Sequence, residues 1–541
     1  MTLAAIPPIL LRIIDILNWV VAHPEWSIGI LLAVVLVLGW FFRGLKIRRG
    51  YEWGLSIVSA LGILFYGYLV VTYCGSMQFY DHVEPQVAAV SYLLSRGQAV
   101  YLPPGSAARY SLQYGPFTYL WVAGYYWALG PSILTAKISG AASALAGVAV
   151  LLAALWRSAG WRVAVACAAL ATTFYLHFDV QSFWCRADSH EIFLVSLSLL
   201  ALTLDNSWAA AIVIGISAGI CVNLKINALA YFLPIGTGFV FRYRDRRAAA
   251  LGVALVMVMS VVPFLFPEIS LSNYLGCLWA SAHQPYTEGN VRETVIFAGW
   301  MAEILLICGI PSIWSSRSAE LRPWCWTAGA LGAAIVVTVP FAAKSGAGPH
   351  HLMPLVPVLV WLVARCWRLG TSEEAGRVGM RHLMIVPVAA VLLVYAWAAS
   401  YSVSSYVEKY EPIGRGVVAD LGDIMDQVPG RTIEMGVGGN ALEFLTFARP
   451  VLVFAGNPYH LDAAAAMDSS ALPGGLPKGT SELCRSGLGE FVLIPKGDEP
   501  FSLRSGFPGE PGVFPEAFRR AFEENYHVRF SSNYFDVYER N

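Results

Sequence analysis

Residues 78–85 read Gln-Phe-Tyr-Asp-His-Val-Glu-Pro, so Asp81 and Glu84 stand three apart and share one face of a helix. A carboxylate at the rim of a membrane cavity can act as a general base that takes the proton of an incoming hydroxyl. The same residues also suit a plainer task, since Asp81 or His82 can cap the helix that runs from Glu84 to Arg96. A second chemistry lies in seven basic residues, Arg96, Arg109, Lys137, Arg186, Lys225, Arg292 and Lys344. On the topology derived below they fall on or near the outer face, where basic residues are depleted. An anionic ligand held there would explain them, as would snorkelling to lipid headgroups. Arg186 and Lys225, in very short connections between apolar spans, favour the ligand. His350 and His351 are sequence neighbours, so on a helix they point apart and could share a metal ion only with a turn between them, and a substrate or phosphate contact suits them better.

The elements that must position these groups are membrane spans. Of 541 residues 57% are hydrophobic and 13% charged, about half the charge of an average soluble domain, and the mean hydropathy is +0.57. A soluble protein is excluded. Apolar runs near the roughly 20 residues needed to cross a bilayer fall at 26–42, 53–73, 133–156, 163–180, 188–204, 207–222, 226–241, 248–267, 293–314, 324–342, 351–366 and 382–402, and segment 6–22 is either a thirteenth span or an interfacial helix. The fold class expected is therefore an α-helical polytopic membrane protein of about 12–13 transmembrane helices. Basic clusters at 43–49, 157–162, 242–247, 317–322 and 365–381 all land on one side of this alternation, which is then cytoplasmic. The opposite side receives a long loop at 74–132, shorter ones at 181–188, 223–225, 268–292 and 343–350, and the whole tail. Two domains follow: residues 1–402 in the membrane, and 403–541 as a small extracytoplasmic α/β domain with a terminal hairpin near Tyr526–Tyr538.

Charge and cysteine narrow the function. Residues 1–402 carry 24 Lys and Arg against 17 Asp and Glu, and the tail carries 12 against 19. No basic surface or reading motif for nucleic acid is present. The nine cysteines show no CxxC or Cys/His ligand spacing, and a metal ligand set is not visible. Gly436-Val-Gly-Gly-Asn440 lacks the Lys-Ser/Thr of a phosphate-binding loop and reads as a turn.

Beyond the first outer helix come Tyr110-Ser-Leu-Gln-Tyr-Gly-Pro-Phe-Thr-Tyr-Leu-Trp121 and a span containing Lys137; later segments are Phe183-Trp-Cys-Arg-Ala-Asp188, Gly219-Ile-Cys-Val-Asn-Leu-Lys225 and Gly348-Pro-His-His-Leu-Met-Pro-Leu-Val-Pro357. This order, over about residues 50–400, resembles the integral-membrane glycosyltransferases of the GT-C superfamily. That group includes protein O-mannosyltransferases and the enzymes that add aminoarabinose or galacturonate to lipid A. The resemblance implies a polyprenyl-phosphate sugar as donor, and a glycan, glycolipid or protein as acceptor. It implies an inner-membrane chain acting on the cell-envelope face, and leaves a divalent metal open. It places Asp81 at the catalytic carboxylate, with Glu84 the alternative because the family often has two adjacent acids there. Arg186, Lys225, Lys137 and Lys344 become candidates for the donor phosphate. Tyr80, His82, Tyr114, Asp188, His350 and His351 become candidate substrate contacts.

The chemistry asks for little more. The leaving group is already an anionic phosphate, so cations stabilise it and one base suffices for an inverting displacement. A transporter or flippase for a lipid-linked glycan, the alternative to an enzyme ahead of a non-catalytic receptor or scaffold, would use the same cations. It would also call for matching interrupted spans in two related halves, and no internal repeat is visible.

Overall fold

In a bilayer every backbone polar group must be satisfied within its own segment, so the apolar runs become helices. The structure is a computed structural model that describes residues 50–103, 105–112, 114–178, 180–315, 321–369, 409–470, 475–506, 509 and 511–541. Expected spans 26–42 and 382–402, and segment 6–22, lie outside the described residues.

The membrane part runs α1 (Gly50–Gly75), α2 (Val83–Ser95), α3 (Pro116–Leu129), α4 (Ile133–Ala159), α5 (Trp161–Leu176), α6 (Ala187–Ala201), α7 (Ser207–Val222), α8 (Leu233–Tyr243), α9 (Arg246–Val261), α10 (Leu271–Ala282), α11 (Glu288–Ser315), α12 (Leu321–Ala342) and α13 (Val356–Leu369). Within the described residues five helical stretches are long and apolar enough to cross a membrane singly: Trp53–Gly75, Ile133–Ala159, Arg246–Leu265, Leu321–Ala342 and Pro349–Arg368. Helix starts follow local chemistry. Ser132, Asn206, Asp245 and Ser270 cap α4, α7, α9 and α10 by accepting backbone N–H groups of the first turn.

Two expected spans open as 3-10 helices. Segment 226–241 opens as a 3-10 helix, Ile226–Phe232, before α8, and segment 351–366 opens as another, Pro349–Leu355, before α13. Pro234, Pro354 and Pro357 sit at these changes and lack the N–H that would close an α-helical turn. Irregular backbone is tolerated at membrane depth where protein surrounds it, and both segments are largely buried. They bring Lys225 and the His350-His351 pair to the site described below.

The basic turns cluster at one end of the bundle: Arg368 donates to the Ser158 carbonyl at the end of α4, and Arg242 to that of Leu204 after α6. The tail sits at the other end. A helix over 409–427 leads into a four-stranded mixed sheet of order β1 (Ile433–Met435), β2 (Phe491–Pro495), β4 (Phe535–Arg540), β3 (Tyr526–Ser531). β1 pairs β2 in parallel; the other pairs are antiparallel, and β3–β4 is the expected hairpin, with a bulge between Val528 and Phe530. The apolar stretch after Arg449 forms a short helix, Pro450–Phe454, opened by Pro450.

The tail is bound to the long loop by backbone as well as side chains. Arg109 N–H donates to the His460 carbonyl at 2.6 Å, and Asp462 N–H donates to the Arg109 carbonyl at 2.7 Å, a strand-like bridge between loop and tail. Tyr110 stacks on Tyr459 with centroids 5.6 Å apart, and Phe454 packs edge-on against Tyr92 and Tyr126.

Candidate functional site

The loop between α1 and α2 is held from beneath by two buried charges. Lys137, on α4 and fully buried, donates from Nζ to the carbonyls of Tyr73 (3.0 Å), Ser76 (2.9 Å) and Gln78 (2.6 Å). Its three ammonium hydrogens are matched by three acceptors. Glu84 is also fully buried; it accepts from the Tyr73 hydroxyl, the Tyr80 amide at 3.0 Å and the Cys185 amide at 3.0 Å. Burial lifts the Glu84 carboxyl above the usual range, against the pull of Lys137 and Tyr73. Tyr80 lies over this clamp, its ring 5.0 Å from the Lys137 ammonium and 5.8 Å from the Tyr73 ring. Lys137 and Glu84, candidates on sequence for phosphate and base, are thus geometrically the fastening of the loop that carries Asp81.

Asp81 faces the other way. Its Oδ1 accepts the Val83 amide at 2.6 Å, so it does brace the first turn of α2, while Oδ2 meets Arg186 Nη1 at 3.3 Å and His82 Nδ1 at 4.0 Å. The side chain keeps 20% exposure against 0% for Glu84 as a residue. Burial works to raise the Asp81 carboxyl, but the charges of His82 and Arg186 and the Val83 amide outweigh it and hold it below the usual aspartate range. Asp81 is therefore ionised at neutral pH.

Behind Asp81 lies a compact ionic cluster. Asp188, in the first turn of α6, accepts Lys225 Nζ at 2.5 Å and Trp184 Nε1 at 3.2 Å, and Arg186 Nε stands 3.9 Å away. One carboxylate thereby orients both cations, and Glu191, one turn further along α6, lies 3.9 Å from Lys225. The Arg186 guanidinium sits 3.8 Å over the Trp184 ring and 5.4 Å from that of Tyr114. Trp184 also meets His350 edge-on at 6.0 Å, and His350 and His351 are 4.8 Å apart, within the fields of Asp188, Arg186 and Lys225. Neither His350 Nε2 nor His351 Nδ1 has a hydrogen-bond partner.

Local sequence explains how these distant segments meet. Gly115 N–H donates to the Leu224 carbonyl and Phe117 N–H to that of Asn223, so Tyr-Gly-Pro-Phe lies directly on the turn that carries Lys225. A Cβ on Gly115 would collide with the Asn223 carbonyl, which is why only glycine fits. Gly140 of α4 meets the Trp184 carbonyl in the same manner.

The structure thus brings Asp81, His82, Tyr114, Arg186, Asp188, Lys225, His350 and His351 together. Lys344 is turned elsewhere: its ammonium donates to the Ser281 and Ala282 carbonyls at the end of α10, at 3.2 and 2.7 Å. Trp184 and Glu191 belong to the cluster without having been singled out. Glu191 was legible in principle, standing three residues after Asp188 on one helical face. On its solvent side Asp81 borders a cleft of about 320 Å³ whose far wall is the tail, with Tyr410, Glu443, Phe444 and Phe447. Among the described residues no group of three or more His, Cys, Asp or Glu side chains is placed to hold a metal ion.

No protein-family model matches the chain, and no characterised protein matches it in sequence. In fold it is similar to ArnT from Cupriavidus metallidurans in the apo state, at 16% identity and TM-score 0.54, over 91% of this chain and 98% of that one. The same protein bound to undecaprenyl phosphate gives 16% identity and TM-score 0.54, over 89% and 97%. The Archaeoglobus fulgidus oligosaccharyltransferase tethered with an acceptor peptide aligns at 11% identity and TM-score 0.45, over 90% and 74%. The chain has the ArnT-like fold, a helical membrane bundle with a small mixed-sheet tail.

Proposed function

We propose that this chain is an inverting glycosyltransferase that moves a sugar from a polyprenyl-phosphate-linked donor to an acceptor hydroxyl. One observation carries the reading: Asp81 stands between an orienting cation cluster and an open cleft, ionised and reachable from the cleft side. In the displacement, the acceptor oxygen attacks the anomeric carbon as Asp81 Oδ2 takes its proton. The bond from that carbon to the phosphate oxygen breaks, and the polyprenyl phosphate leaves with the electron pair. Arg186 and Lys225 stabilise the leaving phosphate, and Asp188 positions both cations without touching the reacting atoms. Tyr114 lines the cations, and His350 and His351 offer unpartnered ring nitrogens to the phosphate or sugar. Glu84 and Lys137 are positioning residues that hold the Asp81 loop. The bound undecaprenyl phosphate of ArnT, whose fold this chain shares, supports the donor class. The basic turns at the far end of the bundle support an inner-membrane protein with its tail and site on the periplasmic side.

The test is binding of undecaprenyl phosphate by the purified full chain. Wild type and Asp81→Asn are expected to bind alike, and Arg186→Gln to bind at least about tenfold more weakly, the loss of charge-assisted hydrogen bonds. Equal binding by Arg186→Gln and wild type would remove the phosphate role from the cluster.

A further inference from the structure

The cleft beyond Asp81 has a chemistry of its own. Its near wall is the loop with Asp81 and His82, and its far wall is the tail's 3-10 helix Asn440–Ala448 with Glu443, Phe444 and Phe447, next to Tyr410. None of the residues that line it is Lys or Arg. Glu443 Oε1 is buried without a hydrogen-bond partner, although the loop and tail close around it. Buried polar atoms of this kind are rarely left unsatisfied, so the Glu443 carboxyl, which lines the cleft, has hydrogen-bonding capacity to turn toward a donor brought there. Aromatic rings beside two carboxyl groups suit the apolar face and the hydroxyl edge of a sugar ring. A phosphorylated headgroup would instead lie against the Asp81 charge with no Lys or Arg on the cleft wall to offset it, His82 being the one titratable base there. The volume, about 320 Å³, is at the small end for ligand pockets and matches one or two rings.

We infer that this cleft is the acceptor site and that it takes a carbohydrate ring, neutral or amino-substituted, with Glu443 as the specificity-determining residue that accepts a second hydroxyl or an ammonium group. This rests on the transferase reading above and names its acceptor class. The acceptor hydroxyl then meets Asp81 from the tail side while the donor phosphate is held on the Arg186 side. The tail, which the cation cluster does not need, supplies the selectivity.

The experiment is saturation-transfer NMR on the full chain in nanodiscs with three probes: methyl glucoside, methyl glucosaminide and methyl glucoside 6-phosphate. Undecaprenyl phosphate binding is measured on the same samples. The neutral and amino glycosides are expected to bind in preference to the phosphate, Glu443→Gln to weaken them by roughly tenfold, and Glu443→Lys to shift the preference toward the 6-phosphate. Preference of the wild type for the 6-phosphate overturns the inference and needs no variant to fold. Unchanged glycoside binding in a Glu443→Gln protein that melts as the wild type does also overturns it. Either result with undecaprenyl phosphate still bound leaves the donor reading standing, whereas loss of that lipid from the wild type counts against the transferase reading itself.

Discussion

Asp81 and Glu84 show how two carboxylates three residues apart take different tasks from their surroundings. Glu84 receives three donors and no solvent, so Glu84→Gln would turn an amide N–H toward a donor. That should cost about 1–3 kcal/mol of stability, read as a lower melting temperature, with loss of activity following loss of fold. Asp81→Asn keeps an oxygen for the Val83 amide and loses the charge facing Arg186, so it should melt only slightly lower and reduce kcat by about 10²–10⁴-fold, the contribution of a general base. The pH dependence follows from the lowered Asp81 carboxyl. A depressed folded-state value means the ionised form, and the stability it confers, is fully present above the ordinary aspartate range near pH 3.9. Both are lost only as the pH falls through the lower folded value. A pH–rate profile should thus show no acid limb from Asp81 between pH 5 and 8, and a limb in that range that Asp81→Glu displaces would contradict the assignment. From sequence, either acid could be the base. The division was not legible because it depends on Tyr73, Cys185 and Arg186, up to about a hundred residues away. The surroundings of Lys137 were not legible for the same reason: its place near the outer end of a span is visible, but the three carbonyls that hold it come from the end of α1 and the loop that follows.

The elements that build the site are short and irregular, and they meet through close backbone approach. Gly115 is the clearest case, because the α3 start and the Lys225 turn touch there without room for a methyl group. Gly115→Ala should separate Tyr114 from Lys225, lower stability by about 1–3 kcal/mol as overpacking does, and weaken undecaprenyl phosphate binding. A variant that melts lower yet binds the lipid as before would show that this contact serves packing alone. Arg186 and Lys225 were legible because cations in short connections on the outer face stand against the positive-inside rule. Asp188, two residues from Arg186, came with them. The span boundaries were legible in the described region to within a few residues. The 3-10 openings were not, since an apolar run carries no mark of which carbonyls go unbonded beyond its prolines.

At the scale of the whole molecule the tail forms the far wall of the cleft beside Asp81. The tail segment that bridges to Arg109 is braced within the tail by a buried pair, Arg449 with Asp462 at 2.9 Å, whose carboxylate also accepts the Tyr459 hydroxyl at 2.7 Å and the Ala465 amide at 3.0 Å. Asp462→Ala leaves Arg449 charged and uncompensated, which should cost about 3–5 kcal/mol and expose the Arg109 bridge to hydrogen exchange and proteolysis. Protection of that bridge at the wild-type level would mean the tail is fastened elsewhere. The sequence makes the tail visible as a separate, more polar α/β unit. It does not disclose the cleft, because Glu443 lies more than 350 residues from Asp81 and nothing in its neighbourhood resembles a site. The central claim is tested most directly by mass spectrometry of surface glycolipids and glycans from a strain lacking the protein, complemented with wild type or with Asp81→Asn at matched expression. The account requires a hexose-, pentose- or uronate-sized increment that disappears without the protein, returns with wild type and stays absent with Asp81→Asn. Full restoration by Asp81→Asn, or no change in any glycan when the protein is absent, would contradict it.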